Sequence, residues 1–351
     1  MPNIPVSTMQ DFAQRLLAAG GMTPREAAIV AASLVGANLR GYDSHGVMRI
    51  PYYVQSLADG EMVSQAPLEI EEEGEARVVA NGHWGVGQVQ AMQLLERLQE
   101  KATRGGVAIG TMHQSGHIGR LGEYCEWAAE QNLVSMFMVN SHGGVVRVAP
   151  PGGIAPRLST NPLAIGVPNG SEPLVLDFST SATAEGKVRV KKIAGESCPE
   201  GWLLDNTGHP TTDPNTLYGT PPGSIRPMGG DQAYKGFGLG LMIEILTGAL
   251  SGGVTARPVP YPKKGNCVFM MLLSPERFGG QTHFADEVKQ LAEYIRSCPT
   301  LPGVERITLP GDPERRLYTQ AVNTGIKLDH ENFQALVKLA AKLNVSAPSE
   351  S

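Results

Sequence analysis

VAIGTMHQSGHIGRLGEYCEWAAE, residues 107–130, decides the fold class. Val107 to Met112, apolar but for Thr111, reads as a buried strand. His113 to Arg120 is a loop of small residues, and Leu121 to Glu130 a helix, so the loop's N–H groups stand ready for a ligand. Strand, loop and helix in this order define an α/β chain. Upstream, Ala76 to Ala80 predicts a strand ending at Asn81-Gly82, and Gly87 to Ala102 a helix stopped by Arg104-Gly105-Gly106. Downstream, strands are predicted over Val134–Val139, Leu163–Val167, Leu174–Phe178 and Cys267–Leu273. Polar residues gather where the first of these strands ends, at Asn140-Ser141-His142-Gly143-Gly144, and again at Ser159-Thr160-Asn161-Pro162 and Asp177 to Ser181. Open sheets bind ligands at strand ends.

Both ends of the chain are helical. Ser7–Leu17 and Thr23–Leu39 are amphipathic, the latter opening on the capping box Thr23-Pro24-Arg25-Glu26. Ile50–Leu57 extends the series to Asp59-Gly60, and a lobe boundary falls near residue 65. Pro199 to Pro227 reads as a long loop. Tyr234-Lys235-Gly236-Phe237-Gly238-Leu239-Gly240 leads into a helix through Leu250, and helices follow over Phe284–Arg296 and from near Glu314. The tail beyond Leu343 is expected to fray.

The 351 residues carry a net charge of −5 without a run of like charges, which leaves no electrostatic footprint for nucleic acid or anionic lipid. Cys125, Cys198, Cys267 and Cys298 are scattered without a CxxC pair, which argues against a zinc site or a disulfide framework and for free thiols. No basic leader and no apolar run of about 18 residues is present, so the expected location is the cytoplasm. The partner is then a small molecule.

Common nucleotide signatures are missing. No GxGxxG follows the first strand, GFGLGL at Gly236 to Leu241 lacks the last glycine, and no P-loop precedes a helix. His113 and His117 are four apart but separated by Gly116, and no acid completes a zinc motif, so no metal is expected. Ser115 has only its neighbour His117 to suggest a hydrolase. GYDSHGVMR, Gly41 to Arg49, has two readings: a polar loop with Asp43 or Ser44 capping a helix, or a site in which His45 moves a proton and Arg49 clamps a carboxylate. Arg49 in the first reading is a surface ion pair. Lys187, Arg189, Lys191 and Lys192 form a basic patch that reads as a solvated face, and His83, His209, His283 and His330 as surface residues. His142 either adds an anionic subsite or is a loop histidine satisfied by backbone.

Six motifs nevertheless occur in order: DSHG at Asp43 with Arg49, SGHIGRLGEY at Ser115, STNP at Ser159, LVLDFSTS at Leu174, YKGFGL at Tyr234 and LPGDPE at Leu309. Together they resemble the type 2 malate/L-lactate dehydrogenase family, the L-sulfolactate dehydrogenase-like oxidoreductases, and most closely its hydroxycarboxylate and ureidoglycolate dehydrogenase branch. The resemblance spans nearly the whole chain, and the missing GxGxxG agrees with it, because the family's cofactor fold is not Rossmann. It implies a non-Rossmann α/β fold in which a central mixed-sheet domain, residues 66–283, holds NAD(P), and an N-terminal helical segment, 1–65, packs with a C-terminal one, 284–345. It implies hydride transfer between nicotinamide and C2 of a 2-hydroxy or 2-oxo acid, with a homodimer sharing its active sites.

By the same resemblance His117 is the acid/base, and His45 a proton donor or cofactor contact. Ser44, Arg49 and Thr160 would bind substrate. The cofactor would lie along His45, Gly119, Arg120, Leu121, Val175, Leu176, Asp177, Phe178, Ser179, Tyr234, Lys235, Gly311, Asp312, Pro313 and Glu314. Asp177 as a ribose acceptor favours NAD; Arg189 or Lys191 nearby would instead favour NADP. The alternatives are a reductase of cyclic imino acids or diketo sugar acids on the same scaffold, and a hydrolase built on His113, Ser115 and His117.

Overall fold

Thr23 and Glu26 do close a capping box: Glu26 N–H donates to Thr23 Oγ1 at 3.2 Å and Thr23 N–H to Glu26 Oε2 at 2.9 Å. The computed structural model describes residues 3–348. After the short strand β1 (Asn3–Ile4), helix α1 (Val6–Ala19) buries Met9, Phe12, Leu16 and Leu17, and α2 (Pro24–Leu39) starts at that box. Asp43 and Ser44 cap no helix. Two 3₁₀ turns, Asp43–His45 and Val47–Arg49, lead into α3 (Ile50–Ala58) without a side-chain cap, and Asp43 Oδ1 instead accepts from Asn38 Nδ2 at 2.7 Å.

Next come β2 (Glu69–Glu73), β3 (Arg77–Gly85), α4 (Gly87–Gly105), β4 (Val107–Ser115), α5 (Leu121–Glu130), β5 (Val134–Val139), β6 (Pro162–Val167) and β7 (Leu174–Ser179). The predicted end at Asn81-Gly82 is passed, because β3 continues through a bulge to Gly85 with His83 and Trp84 at φ of 46° and 61°. α6 (Glu185–Ile193) follows and buries Val188. Pro199–Pro227 is not a bare loop: β8 (Leu203–Leu204), β9 (Pro210–Thr211) and β10 (Ser224–Ile225) form a small antiparallel sheet over Val148, Val188, Cys198, Leu217 and Ile225. Then come α7 (Ala233–Glu244), extended by a π-helical turn at Ile245–Ala249, β11 (Asn266–Leu273), α8 (Gln281–Arg296), α9 (Asp312–Thr324), β12 (Ile326–Lys327) and α10 (His330–Lys342).

The seven-stranded sheet has the order β2-β3-β4-β11-β5-β6-β7 and is mixed, with β3 and β4 parallel and its other neighbouring pairs antiparallel. α4 crosses between the parallel pair, as such a connection requires. α4 and α5 cover one face through Leu94, Leu98 and Tyr124, in one cluster with Phe137 of β5, and α7 covers the other, where Ile243 meets Met138, Leu163 and Phe269. A separate apolar cluster joins α1, α2 and α3 to α10 through Phe12, Leu34, Ile50, Phe333 and Leu336. β1 pairs with β12, so the two ends of the chain meet. Late β11 runs antiparallel between β4 and β5. Its first residue, Asn266, therefore lies where those strands end, beside the loop of His117. Among the described residues no helix is long and apolar enough to cross a membrane.

Candidate active site

Loop 116–120 leaves β4 under tight constraint. Gly116 N–H donates to Gly85 O at 3.0 Å, and Ile118 N–H to Asn266 Oδ1 at 3.0 Å. A Cβ on Gly87 would come within 2.4 Å of Gly116 O, so that position requires glycine. Held this way, half-buried His117 stacks on His45 with ring centroids 5.6 Å apart. His45 in turn meets Ser44 Oγ through Nδ1 at 3.1 Å. Arg49 Nε donates to Ser44 O at 2.7 Å, while its terminal nitrogens make no hydrogen bond among the described residues. The fork is therefore free for a carboxylate.

One nitrogen of His117 has a defined state. Gly119 N–H donates to Nδ1 at 3.2 Å, and a backbone amide has no other role to play. Nδ1 must then carry a lone pair, and Tyr53 O–H, 2.7 Å away, also donates to it, its own oxygen accepting from Gln88 Nε2 at 2.9 Å. A neutral His117 consequently bears its proton on Nε2. Burial, then the Arg49 charge and His45, push its pKa well below the usual histidine value, so neutral is its state. His45 is held down at about 3, by burial first and then by Arg49 and Arg120.

A second group gathers around Tyr42. Its hydroxyl donates to the Asp177 carbonyl at 3.2 Å and to Glu314 Oε1 at 3.1 Å, and Arg120 lies 5.5 Å over its ring. The predicted residues Arg120, Asp177 and Glu314 thus meet, and Val175 N–H joins Pro310 O at 3.1 Å beside Gly311, at φ 93°. The start of α5 is not an open anion site, because Asp177 Oδ2 accepts Gly122 N–H at 2.7 Å and so caps the helix. Burial raises the Asp177 carboxyl to about 6, against the opposing pull of Arg120 and Gly122. Arg120, 3% exposed, is paired through Nη2 with Glu126 at 2.8 Å, but Nε and Nη1 have no partner. Two buried donors are thus left without acceptors and able to bind a polar or anionic group.

Other predicted residues stand apart. Leu121 is buried; Leu176 is exposed, and Phe178 and Ser179 are half-buried along β7. Asp312 is committed internally, accepting from Leu309 N, Arg296 and Arg315, and Pro313 is exposed in the first turn of α9. Thr160 offers its carbonyl to Thr180, not its side chain to the histidines. Tyr234, 62% exposed, and Lys235 stay at the outer head of α7. Ser115 is fully buried and its hydroxyl donates to Gly116 O, so it forms no dyad with His113 or His117. His113 Nε2 meets Glu71 at 3.1 Å, and among the described residues no set of three potential ligands surrounds a metal. Nor does backbone satisfy the His142 ring, whose two nitrogens are unpartnered.

Tyr53, Gln88, Tyr42 and Asn266 were not singled out by sequence. For Tyr53 a signal exists, since it lies one helical turn beyond Arg49. The other three join through contacts distant along the chain.

A mixed, non-Rossmann sheet thus carries a guanidinium with free terminal nitrogens beside two neutral histidines, and the family in which such a chain falls is one of oxidoreductases acting on hydroxy acids. Residues 4–337 match the family model for malate/L-lactate dehydrogenase, and the chain belongs to that family. It is 36% identical to an L-lactate dehydrogenase of Cupriavidus necator, over 99% of both chains. It is 32% identical to a Δ1-pyrroline-2-carboxylate/Δ1-piperideine-2-carboxylate reductase of Pseudomonas syringae pv. tomato, over 94% of each. Its fold matches the sulfolactate dehydrogenase of Methanocaldococcus jannaschii with a TM-score of 0.86 at 29% identity, covering 98% of both chains.

Proposed function

We propose that this protein is an NAD-linked 2-hydroxy acid dehydrogenase of the cytoplasm, set by its resting proton positions for reduction of a 2-oxo acid. The observation that carries this is the Gly119 N–H on His117 Nδ1. Arg49 holds the substrate carboxylate with its free terminal nitrogens. His117 donates an Nε2–H hydrogen bond to the C2 oxygen; as hydride arrives and that oxygen becomes an alkoxide, the Nε2 proton passes to it and His117 regains a proton on Nε2 from solvent. Tyr53 O–H, donating to Nδ1 and accepting from Gln88 Nε2, keeps its own proton because burial raises its pKa, and so holds Nδ1 as the acceptor and Nε2 as the donor. His45, neutral and stacked on His117, keeps water off one face of that ring. Arg120, Asp177, Gly311 and Glu314, with Tyr42, would hold the coenzyme: the unpartnered Arg120 nitrogens and Asp177 Oδ1 suit its phosphate and ribose oxygens. A bound nicotinamide supplies the hydride.

Oxidation of NADH and NADPH, followed by absorbance across a panel of 2-oxo acids, tests the reading. His117→Ala should lower kcat by about 10²–10⁴-fold. Tyr53→Phe should lower it about tenfold with little change in KM. Undiminished turnover by His117→Ala removes the acid/base role, and failure of both coenzymes to bind removes the reading. The Pseudomonas relative supports a second substrate class, cyclic imino acids, which carry the same carboxylate; adding a cyclic imine to the panel separates the two. A homodimer sharing its sites is supported by Tyr234, Met242, Ile245 and Leu250, all 44–62% exposed along α7 and its π turn. Sedimentation equilibrium gives the mass directly.

A further inference from the structure

The loop after β5 carries a histidine that the reaction above does not use. His142 is 1% exposed, and neither ring nitrogen has a hydrogen-bond partner. The backbone group facing the ring is its own, outside hydrogen-bond geometry. Two aromatic rings wall it in edge-on, Trp84 at 4.7 Å and Tyr261 at 4.8 Å between centroids, and these stack on each other at 5.7 Å. Burial, with smaller contributions from His113 and Arg257, holds its pKa down at about 4. At neutral pH the ring thus presents one N–H and one lone pair, both unused. Unpaired polar groups in a buried site are costly, and a ligand group with both a donor and an acceptor removes the cost.

This box is tied to the reacting histidine from two sides. His142 N–H donates to Asn140 Oδ1 at 2.9 Å, Asn140 O accepts from Asn266 Nδ2 at 2.7 Å, and Asn266 Oδ1 accepts from Ile118 N–H, the residue after His117. Trp84 precedes Gly85, whose carbonyl takes Gly116 N–H. The outer wall is lightly held. Tyr261 belongs to the segment RPVPYPKK, residues 257–264, which is fastened by Tyr261 N–H to Gly143 O at 3.1 Å and by Lys263 Nζ to Gly60 O at 3.2 Å. Val259, within it, is 77% exposed.

We propose that His142, with Trp84 and Tyr261, is a specificity subsite for an uncharged hydrogen-bonding group, a hydroxyl or an amide, at the far end of the substrate. The Tyr261 segment swings out to admit that group. The proposal rests on the 2-oxo acid reading and adds to it the substituent that the protein selects.

The test compares kcat/KM for two 2-oxo acids of equal chain length, one ending in a hydroxymethyl group and one in a methyl group, in the parent and in His142→Phe. The parent should favour the hydroxyl-ended acid, and the variant should lose about tenfold of that preference, the scale of one hydrogen bond. A preference that survives the substitution overturns the proposal, as does a parent indifferent to the two ends or one that favours a dicarboxylate of like length. Turnover of neither acid by the parent instead overturns the reductase reading, and this proposal with it. Should His142→Phe not fold, the ring ¹⁵N resonances of His142 in the parent decide. A shift on adding the hydroxyl-ended acid with reduced coenzyme, but not the methyl-ended one, supports the subsite; no shift, or the same shift with both, overturns it.

Discussion

At the scale of single residues, the site depends on which polar atoms are already spoken for. One backbone amide, that of Gly119, sets the tautomer of His117 and so the direction in which its proton points. Asp177 shows the same economy of atoms, one oxygen capping α5 while burial lifts its carboxyl to about 6. Its ordinary pKa is about 3.9, so the unfolded chain ionises first as pH rises, and the native state loses stability between pH 4 and 6. Asp177→Asn keeps an acceptor for Gly122 N–H and has no such loss. Denaturation midpoints of the variant relative to the parent should therefore rise across pH 4–6 and level off above it; a gap that does not change with pH would contradict the assignment. His117, His45 and Arg49 stood out as candidates in the sequence because a ring that titrates near neutrality and a guanidinium that matches a carboxylate fall in short windows of small residues. Tyr53 did not, since a tyrosine on an apolar helix face reads as core until its hydroxyl is seen to meet a loop 64 residues away.

At the scale of elements, local rules held where the local signal was complete. The capping box of α2 is present with both hydrogen bonds. Thr23→Ala should cost about 1 kcal/mol, read as a lowered midpoint in a urea titration with unchanged slope. Helix α5 and strand β5 begin and end where the apolar runs predict. Asp43 and Ser44 misled because Asn38, a residue of the preceding helix, captures the Asp43 carboxylate, and the chain turns twice before α3 starts. The segment 199–227 looked irregular because its strands are only two residues each, too short to show a period.

At the scale of the whole molecule, long-range pairing decides what local pattern leaves open. Phe333, in the last helix, is 1% exposed and sits in one apolar cluster with Phe12 and Leu34 of the first two. Phe333→Ala should destabilise the protein by about 3–5 kcal/mol, measured by chemical denaturation; a loss below about 1 kcal/mol would show that α10 is dispensable to that core. The amino-acid sequence by itself determined the helices and most strands and the absence of a Rossmann fingerprint, and singled out the histidines and arginine of the candidate site, because these follow from periodicity and side-chain chemistry within short windows. Only the tertiary structure decided that β11 enters between β4 and β5, that Asn266 thereby steadies the His117 loop, that Asp177 caps a helix 55 residues upstream, and that His142 has no partner. Hydrogen bonding is satisfied in space rather than along the chain, so a polar residue's role is set by whichever neighbour the fold delivers.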